Sequence, residues 1–188
     1  MPANILCLDL ALTNTGYVVA TAVSGKDTII AVGTIRTPPS SAKQAKATKQ
    51  TVGELDWNRS TKLAKELQTI MTTNRIQHVY VECPTGGSKS SRAAKAMALA
   101  KGAASAVCST LGVKATLFTP QKAKQAATGS IHATKEEVKA AMLTEFSYYN
   151  GWIRNTKDKL VQGQNEHIFD ACSVLMCARR TKSYKDFK

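Results

Sequence analysis

Four side chains of the types that bind divalent metal ions lie in three separate parts of the sequence. Asp9 lies within one apolar run and Glu82 ends another. His167 and Asp170 are three residues apart, which places both on one face of a helix. A lone buried carboxylate is costly, so two acids on neighbouring strands of a basic protein indicate a shared cation. Such a group fits two divalent ions about 4 Å apart that act on a phosphodiester, and carboxylate oxygens suit Mg²⁺ or Mn²⁺.

Simpler interpretations of these residues stay open from the sequence alone. Asp9 could cap a turn at the end of its strand, outside any site. Acids near the start of the last helix are favoured by the helix dipole in any case. The dipole accounts well for Glu166 and poorly for His167.

The charge of the chain indicates its partner. Lys and Arg number 26 against 13 Asp and Glu, which gives a net charge of +13. So large an excess repels itself unless an anion is nearby, and nucleic acid is the commonest such anion. No run approaches the roughly 18 apolar residues of a membrane span, and the N-terminus lacks the charged segment of a signal peptide. Five cysteines without a C-x-x-C pair indicate buried thiols in a reducing compartment.

The elements that must position these residues follow an α/β pattern. Apolar spacing and turn residues predict the order β-β-β-α-β-α-β-α-α-α. Three antiparallel strands and then two parallel strands indicate a mixed five-stranded sheet with helices on both faces, a ribonuclease H-like arrangement. The expected strands are 5–10, 15–23, 28–36, 76–82 and 113–118, and the expected helices are 53–73, 92–111, 120–129, 134–146 and 165–180.

The length predicts a single domain over residues 1–188. Residues 38–52 are expected to form a mobile basic loop, and residues 181–188 a basic tail. Within the helix expected at 53–73, the apolar spacing turns Arg59, Lys62 and Lys65 outward, as a solvated face or a track for a DNA arm.

Several segments stand in an order typical of one nuclease family. They are 5–9 followed by 15–17, then 33–37, 79–82, 121–138 and 165–171. Together they resemble the RuvC family of Holliday junction resolvases, which are ribonuclease H-like endonucleases, over nearly the whole chain. The resemblance implies that Asp9 and Glu82 are catalytic acids. It implies equally that His167 and Asp170 complete the catalytic metal site.

The resemblance also gives roles to basic residues. Lys124 and Lys135, eleven residues apart, match family lysines that serve the DNA and the active site, although spacing alone would equally allow plain surface charges. An ammonium facing the scissile phosphate would offset charge that develops in the transition state. Other basic residues in loops and helix starts are expected to contact DNA phosphates. They are Lys43, Lys46, Lys89, Arg92 and Lys122.

The activity that the resemblance implies is paired cutting of branched DNA, especially four-way junctions, with two Mg²⁺ ions per site and Mn²⁺ as a substitute. A homodimer is expected because a junction has two-fold symmetry. We expect an enzyme of the cytoplasm, associated with the nucleoid, or of the host cytoplasm if the source is viral. The alternatives are a ribonuclease H that acts on RNA–DNA hybrids, and a catalytically idle nucleic-acid-binding module.

Two departures from the family pattern indicate a divergent member, of phage or plasmid type. Leu10 and Ala11 stand where the family usually has Pro-Gly. Residues 83–85 replace an aromatic that the family inserts into the junction centre.

Overall fold

A five-stranded mixed sheet forms the centre of the computed structural model, which describes residues 2–23, 26–38, 41–84, 90–152 and 162–187. The strand order is β3-β2-β1-β4-β5. The first three strands pair antiparallel, and β1–β4 and β4–β5 pair parallel, so the predicted sheet is confirmed. The strands are β1 Ala3–Asp9, β2 Asn14–Val23, β3 Lys26–Arg36, β4 His78–Glu82 and β5 Lys114–Phe118.

The central strand β1 is buried on both faces, which explains its uninterrupted apolar run. Successive residues of a strand point to opposite faces of the sheet. Ile5 and Cys7 therefore join one hydrophobic cluster, while Leu6 and Leu8 join the other. Each face needs a layer of helices to cover it, and the ribonuclease H-like arrangement supplies both layers.

Seven helices lie in the described part of the chain. Helices α2 and α3 pack on the face of Leu6 and Leu8, whereas α5 and α6 pack on the opposite face. Capping boxes at Thr51 and Thr134 fix the starts of α2 and α5, the second as predicted. The helices are α1 Ala42–Thr48, α2 Val52–Thr73, α3 Ser91–Thr110, α4 Pro120–Thr128, α5 Lys135–Glu145, α6 Gln162–Ala178 and α7 Lys182–Lys185.

The segment 38–52 departs from the predicted loop because it contains α1. The side chain of Ser41 caps that helix by accepting a hydrogen bond from the Gln44 amide, and left-handed Lys49 ends it. The basic tail likewise contains α7, whose Tyr184 is buried. The mobility of residues 38–52 and the single-domain organisation stay predictions.

A polar cluster joins the start of β3 to the end of α6. Both carboxylate oxygens of Asp27 accept hydrogen bonds from Arg179, at 2.6 and 3.0 Å, and one also accepts a bond from the Tyr184 hydroxyl at 2.9 Å. The Asp27 side chain is only 2% exposed, so these partners compensate a buried charge. Burial and the neighbouring Asp27 raise the pKa of Tyr184.

No helix in the described ranges is long and apolar enough to cross a membrane. The five cysteines are all free; four are buried as the sequence predicts, whereas half-buried Cys83 departs from that prediction. The cytoplasmic location stays a prediction.

Candidate active site

Asp9 and Glu82 end two neighbouring parallel strands at the same edge of the sheet. Asp9 is the last residue of β1, Glu82 is the last residue of β4, and the two are register partners. Parallel strands bring their carboxyl ends to one edge, which open α/β sheets use for their sites. The interpretation of Asp9 as a simple turn cap is not needed, because its carboxylate contacts His167 of helix α6.

Helix α6 brings the other two candidate ligands to this edge. The ring nitrogen Nδ1 of His167 lies 2.8 Å from Oδ2 of Asp9. Ligand atoms of Asp9, His167 and Asp170 all lie within 4.8 Å of one another, so these three residues could hold a metal ion. Glu82 is not a member of that three-residue group and lies beside it on the sheet.

The close approach of α6 to the sheet depends on Gly16 in β2. Gly16 pairs with Asp9 across the antiparallel ladder. A Cβ atom built on Gly16 would lie 1.9 Å from the carbonyl oxygen of His167 and 2.3 Å from its carbonyl carbon. Only a residue without a side chain lets the helix backbone come so near. Nothing in the sequence signals this packing role of Gly16.

The carboxylates of the site repel one another in a partly buried setting. Burial raises the pKa of Glu82 to about 8, and Asp9 and Asp170 add to the shift. Burial and Asp9 raise the pKa of Asp170 to about 6. The hydrogen bond to Asp9 raises the pKa of His167. Negative charge crowded in this way is stabilised by a cation between the groups.

The two predicted lysines flank the acids. Lys124 of α4 donates a hydrogen bond to the carbonyl oxygen of Ala133 at 2.8 Å. Its positive charge offsets part of the rise in the pKa of Glu82. Lys135, the first residue of α5, contacts the carboxylate of Glu166, and that contact raises the pKa of Lys135. Both ammonium groups are thus within electrostatic reach of the acids. The structure gives Glu166 a lysine partner, so it need not act as a ligand.

The other predicted DNA-binding residues are scattered along the surface. Lys43 and Lys46 are exposed on α1, Arg92 is exposed in the first turn of α3, and Lys122 is exposed on α4. Lys89 lies outside the described residues. The contacts of these residues with DNA stay predictions.

The outward orientation predicted for Arg59 is wrong, although Lys62 and Lys65 are exposed as predicted. Arg59 is 5% exposed, and it donates hydrogen bonds to the hydroxyls of Thr13 at 2.6 Å and Thr37 at 3.1 Å. Its guanidinium reaches under the segments that follow β1 and β3. Helical spacing could not reveal this burial, because both partners come from distant parts of the chain.

The model of the crossover junction endodeoxyribonuclease RuvC family matches residues 5–149. The chain belongs to this family. The match contains Asp9, Glu82 and both lysines, whereas His167 and Asp170 follow it, so their assignment depends on the geometry of α6. Among curated proteins, none matches the chain significantly.

Solved structures of resolvases share the RuvC-type fold with this chain. Thermus thermophilus RuvC in complex with a Holliday junction substrate is 19% identical over 94% of this chain and 92% of its own, with a TM-score of 0.69. The yeast mitochondrial Holliday junction resolvase is 11% identical over 98% and 80%, with a TM-score of 0.63. The fowlpox virus resolvase, solved with Holliday junction DNA, is 13% identical over 92% and 96%, with a TM-score of 0.50. At these identities the likeness shows a common fold.

Proposed function

We propose that this RuvC-family chain cuts four-way DNA junctions by metal-dependent phosphodiester hydrolysis at Asp9, Glu82, His167 and Asp170. The observation that carries the proposal is the convergence of ligand atoms from Asp9, His167 and Asp170 within 4.8 Å. Two elements that are distant in sequence, β1 and α6, meet there, at the sheet edge that Glu82 of β4 shares. A net charge of +13 supports a polyanionic substrate.

The residues present fit Mg²⁺ or Mn²⁺. Their donor set is carboxylate oxygen plus one imidazole nitrogen, which hard divalent ions accept, and Mn²⁺ takes nitrogen more readily than Mg²⁺. The pKa values of Glu82 and Asp170, about 8 and about 6, are raised by burial and mutual repulsion that a cation would offset. Two bound ions would supply an activated water and charge stabilisation at the leaving 3′ oxygen.

The protein groups then have separate tasks. Asp9 holds the imidazole of His167 in place through the 2.8 Å contact. The carbonyl of Ala133 fixes the ammonium of Lys124 on the side of Glu82, where it would contact the phosphate and offset charge that develops there. Lys135 is 68% exposed, so it could exchange Glu166 for a DNA phosphate when substrate binds.

We also propose that two copies assemble for paired cuts, since a junction has two-fold symmetry. An open groove of about 520 Å³ between α2 and α3 is the surface that favours this. Trp57 beside it is 75% exposed, and Ala98, Gly102 and Ala106 present only small side chains there. If this groove is the interface, Trp57→Glu should shift the protein to a monomer in analytical ultracentrifugation and uncouple the two cuts. A wild-type protein that sediments as a monomer at working concentration would contradict the dimer.

The test of the function is a cleavage screen with purified protein and Mg²⁺. Four-way junction, fork, flap, RNA–DNA hybrid and linear duplex are compared at equal concentration, with Asp9→Asn as the matched inactive variant. We expect the junction to be cut fastest, in two strands, with 5′-phosphate ends. Preferential cutting of the hybrid would indicate a ribonuclease H instead. Junction binding without any cutting would indicate an idle module.

A further inference from the structure

A basic cleft lies on the face of the sheet that α2 and α3 cover. It has a volume of about 410 Å³, and none of the four candidate metal ligands lines it. The polar side chains that line it are those of Ser41, Asp56, Arg59, Ser91, Arg92 and Lys95. Three of these side chains are cationic and one is anionic. The lining therefore carries an excess of positive charge.

The acidic residue of the cleft neutralises only part of that charge. Asp56 is 8% exposed. Its carboxylate forms a salt bridge with the ammonium of Lys95 at 2.8 Å and lies 3.7 Å from the guanidinium of Arg59. Arg92 lies close enough to lower the pKa of Arg59 together with burial, which is the larger cause. Like charges held near one another in a concave site favour an anion between them.

The cleft is anchored to the segments that carry the active site. Arg59 bonds to Thr13, four residues beyond Asp9, and to Thr37, the first residue beyond β3. Thr37 in turn donates from its amide to the carbonyl of Thr13 at 3.0 Å. The start of α3, which follows β4 and Glu82, forms another wall of the cleft. The cleft thus opens at the same sheet edge as the metal ligands.

We infer that this basic cleft binds one backbone phosphate of a junction arm, at a position other than the scissile phosphate, with Arg92 as the principal contact. The inference rests on the proposed function, because the DNA must first bind at the sheet edge that carries the metal ligands. Arg92 is exposed, and its side chain is long enough to reach a phosphate. Arg59 is buried, so it stabilises the wall of the cleft and adds its positive charge. A guanidinium suits this task because it binds phosphate oxygens in a fork.

The test compares Arg92→Gln with Arg75→Gln in junction binding measured by fluorescence anisotropy, with chelator present so that no cutting occurs. Arg75 is a matched control, since it is exposed and lies between α2 and β4 at the opposite edge of the sheet. Loss of one phosphate contact should reduce the slope of log K against log salt by about 0.9. Over the decade between 1 M and 0.1 M salt, that slope corresponds to about eight-fold weaker binding at 0.1 M. Arg75→Gln should leave slope and affinity near wild type.

A second variant predicts an effect of opposite sign. Asp56→Asn removes the negative charge of the cleft and frees the ammonium of Lys95, so junction binding should become tighter. A purely structural role for Asp56 would lower the melting temperature without tightening binding. Equal salt slopes for Arg92→Gln and Arg75→Gln would overturn the inference, provided that the wild type binds junctions. A wild type that neither binds nor cuts junctions would contradict the proposed function instead.

Discussion

Replacement of Gly16 by alanine tests whether the active site depends on the close approach of β2 and α6. The new Cβ would lie 1.9 Å from the His167 carbonyl oxygen, whereas real Cβ contacts essentially never fall under 3.0 Å. The helix backbone must therefore move away by about 1.1 Å, because a carbonyl group cannot rotate aside. His167 and Asp170 lie on that helix, and Asp9 faces it.

The expected loss of activity is large compared with the expected loss of stability. A misplacement of about 1 Å at a catalytic centre can cost about 100-fold in rate. Overpacking of this kind costs about 1–3 kcal/mol in unfolding free energy, which the fold should survive. Because the ligand atoms separate, the metal concentration for half-maximal cutting should also rise.

The assay is junction cleavage against Mg²⁺ concentration, with melting temperature measured in parallel. Two glycines serve as controls. Gly102→Ala in α3 has nothing within 4 Å of the new atom and should stabilise the helix by up to about 1 kcal/mol; it is a control for melting temperature alone, because Gly102 lines the proposed dimer groove. In Gly33→Ala, the nearest atoms to the new Cβ belong to the end of the Tyr17 side chain, which can turn away. Wild-type cutting and wild-type metal dependence in Gly16→Ala would refute the positioning role of Gly16.

Three further predictions concern the acids, the histidine and the buried ion pair. Asp9→Asn should bind junctions with wild-type affinity in gel-shift assays yet lose cutting, because phosphate contacts come from basic residues; cutting at the wild-type rate would exclude Asp9 from the site. The pKa of His167 is raised by Asp9, so protons should compete with the metal as pH falls toward and through about 6.5. Cutting at low Mg²⁺ should therefore fall over that range and recover with Mn²⁺, whereas His167→Asp should lack this pH step. If the dependence of the cutting rate on metal concentration is identical above and below that pH, His167 is not part of the site. Asp27→Ala should lower the unfolding free energy by about 3 kcal/mol in urea titrations, since it leaves half-buried Arg179 dependent on the exposed Glu145 and removes the acceptor of the buried Tyr184 hydroxyl. The control Glu145→Ala removes only the exposed partner of Arg179 and should cost less than about 1 kcal/mol; equal losses would show that burial of Asp27 is unimportant.

The sequence allowed prediction of those features that depend on local pattern. The apolar runs before Asp9 and Glu82 indicated two central strands, and the three-residue spacing of His167 and Asp170 placed both on one helix face. The sequence placed Asp9 and Glu82 on neighbouring strands, and the register that pairs the two residues comes from the structure.

Features that depend on distant contacts were not predictable in the same way. The burial of Arg59 requires Thr13 and Thr37, which come from two other segments, and helical periodicity places it on the outer face. The need for a glycine at position 16 comes from its contact with α6, which lies about 150 residues later in the chain. Helix α1 was missed because seven residues without a single buried side chain give no apolar period.

The contact between Asp9 and His167 joins residues 158 positions apart. During synthesis, β1 leaves the ribosome well before α6, which follows it in the chain by about 150 residues. A nascent or truncated chain that stops before residue 167 carries Asp9 and Glu82 but lacks half of the candidate metal ligands. Such a chain keeps most of the basic residues and could hold DNA without cutting it. The topology thus delays assembly of the candidate site until α6 has been made.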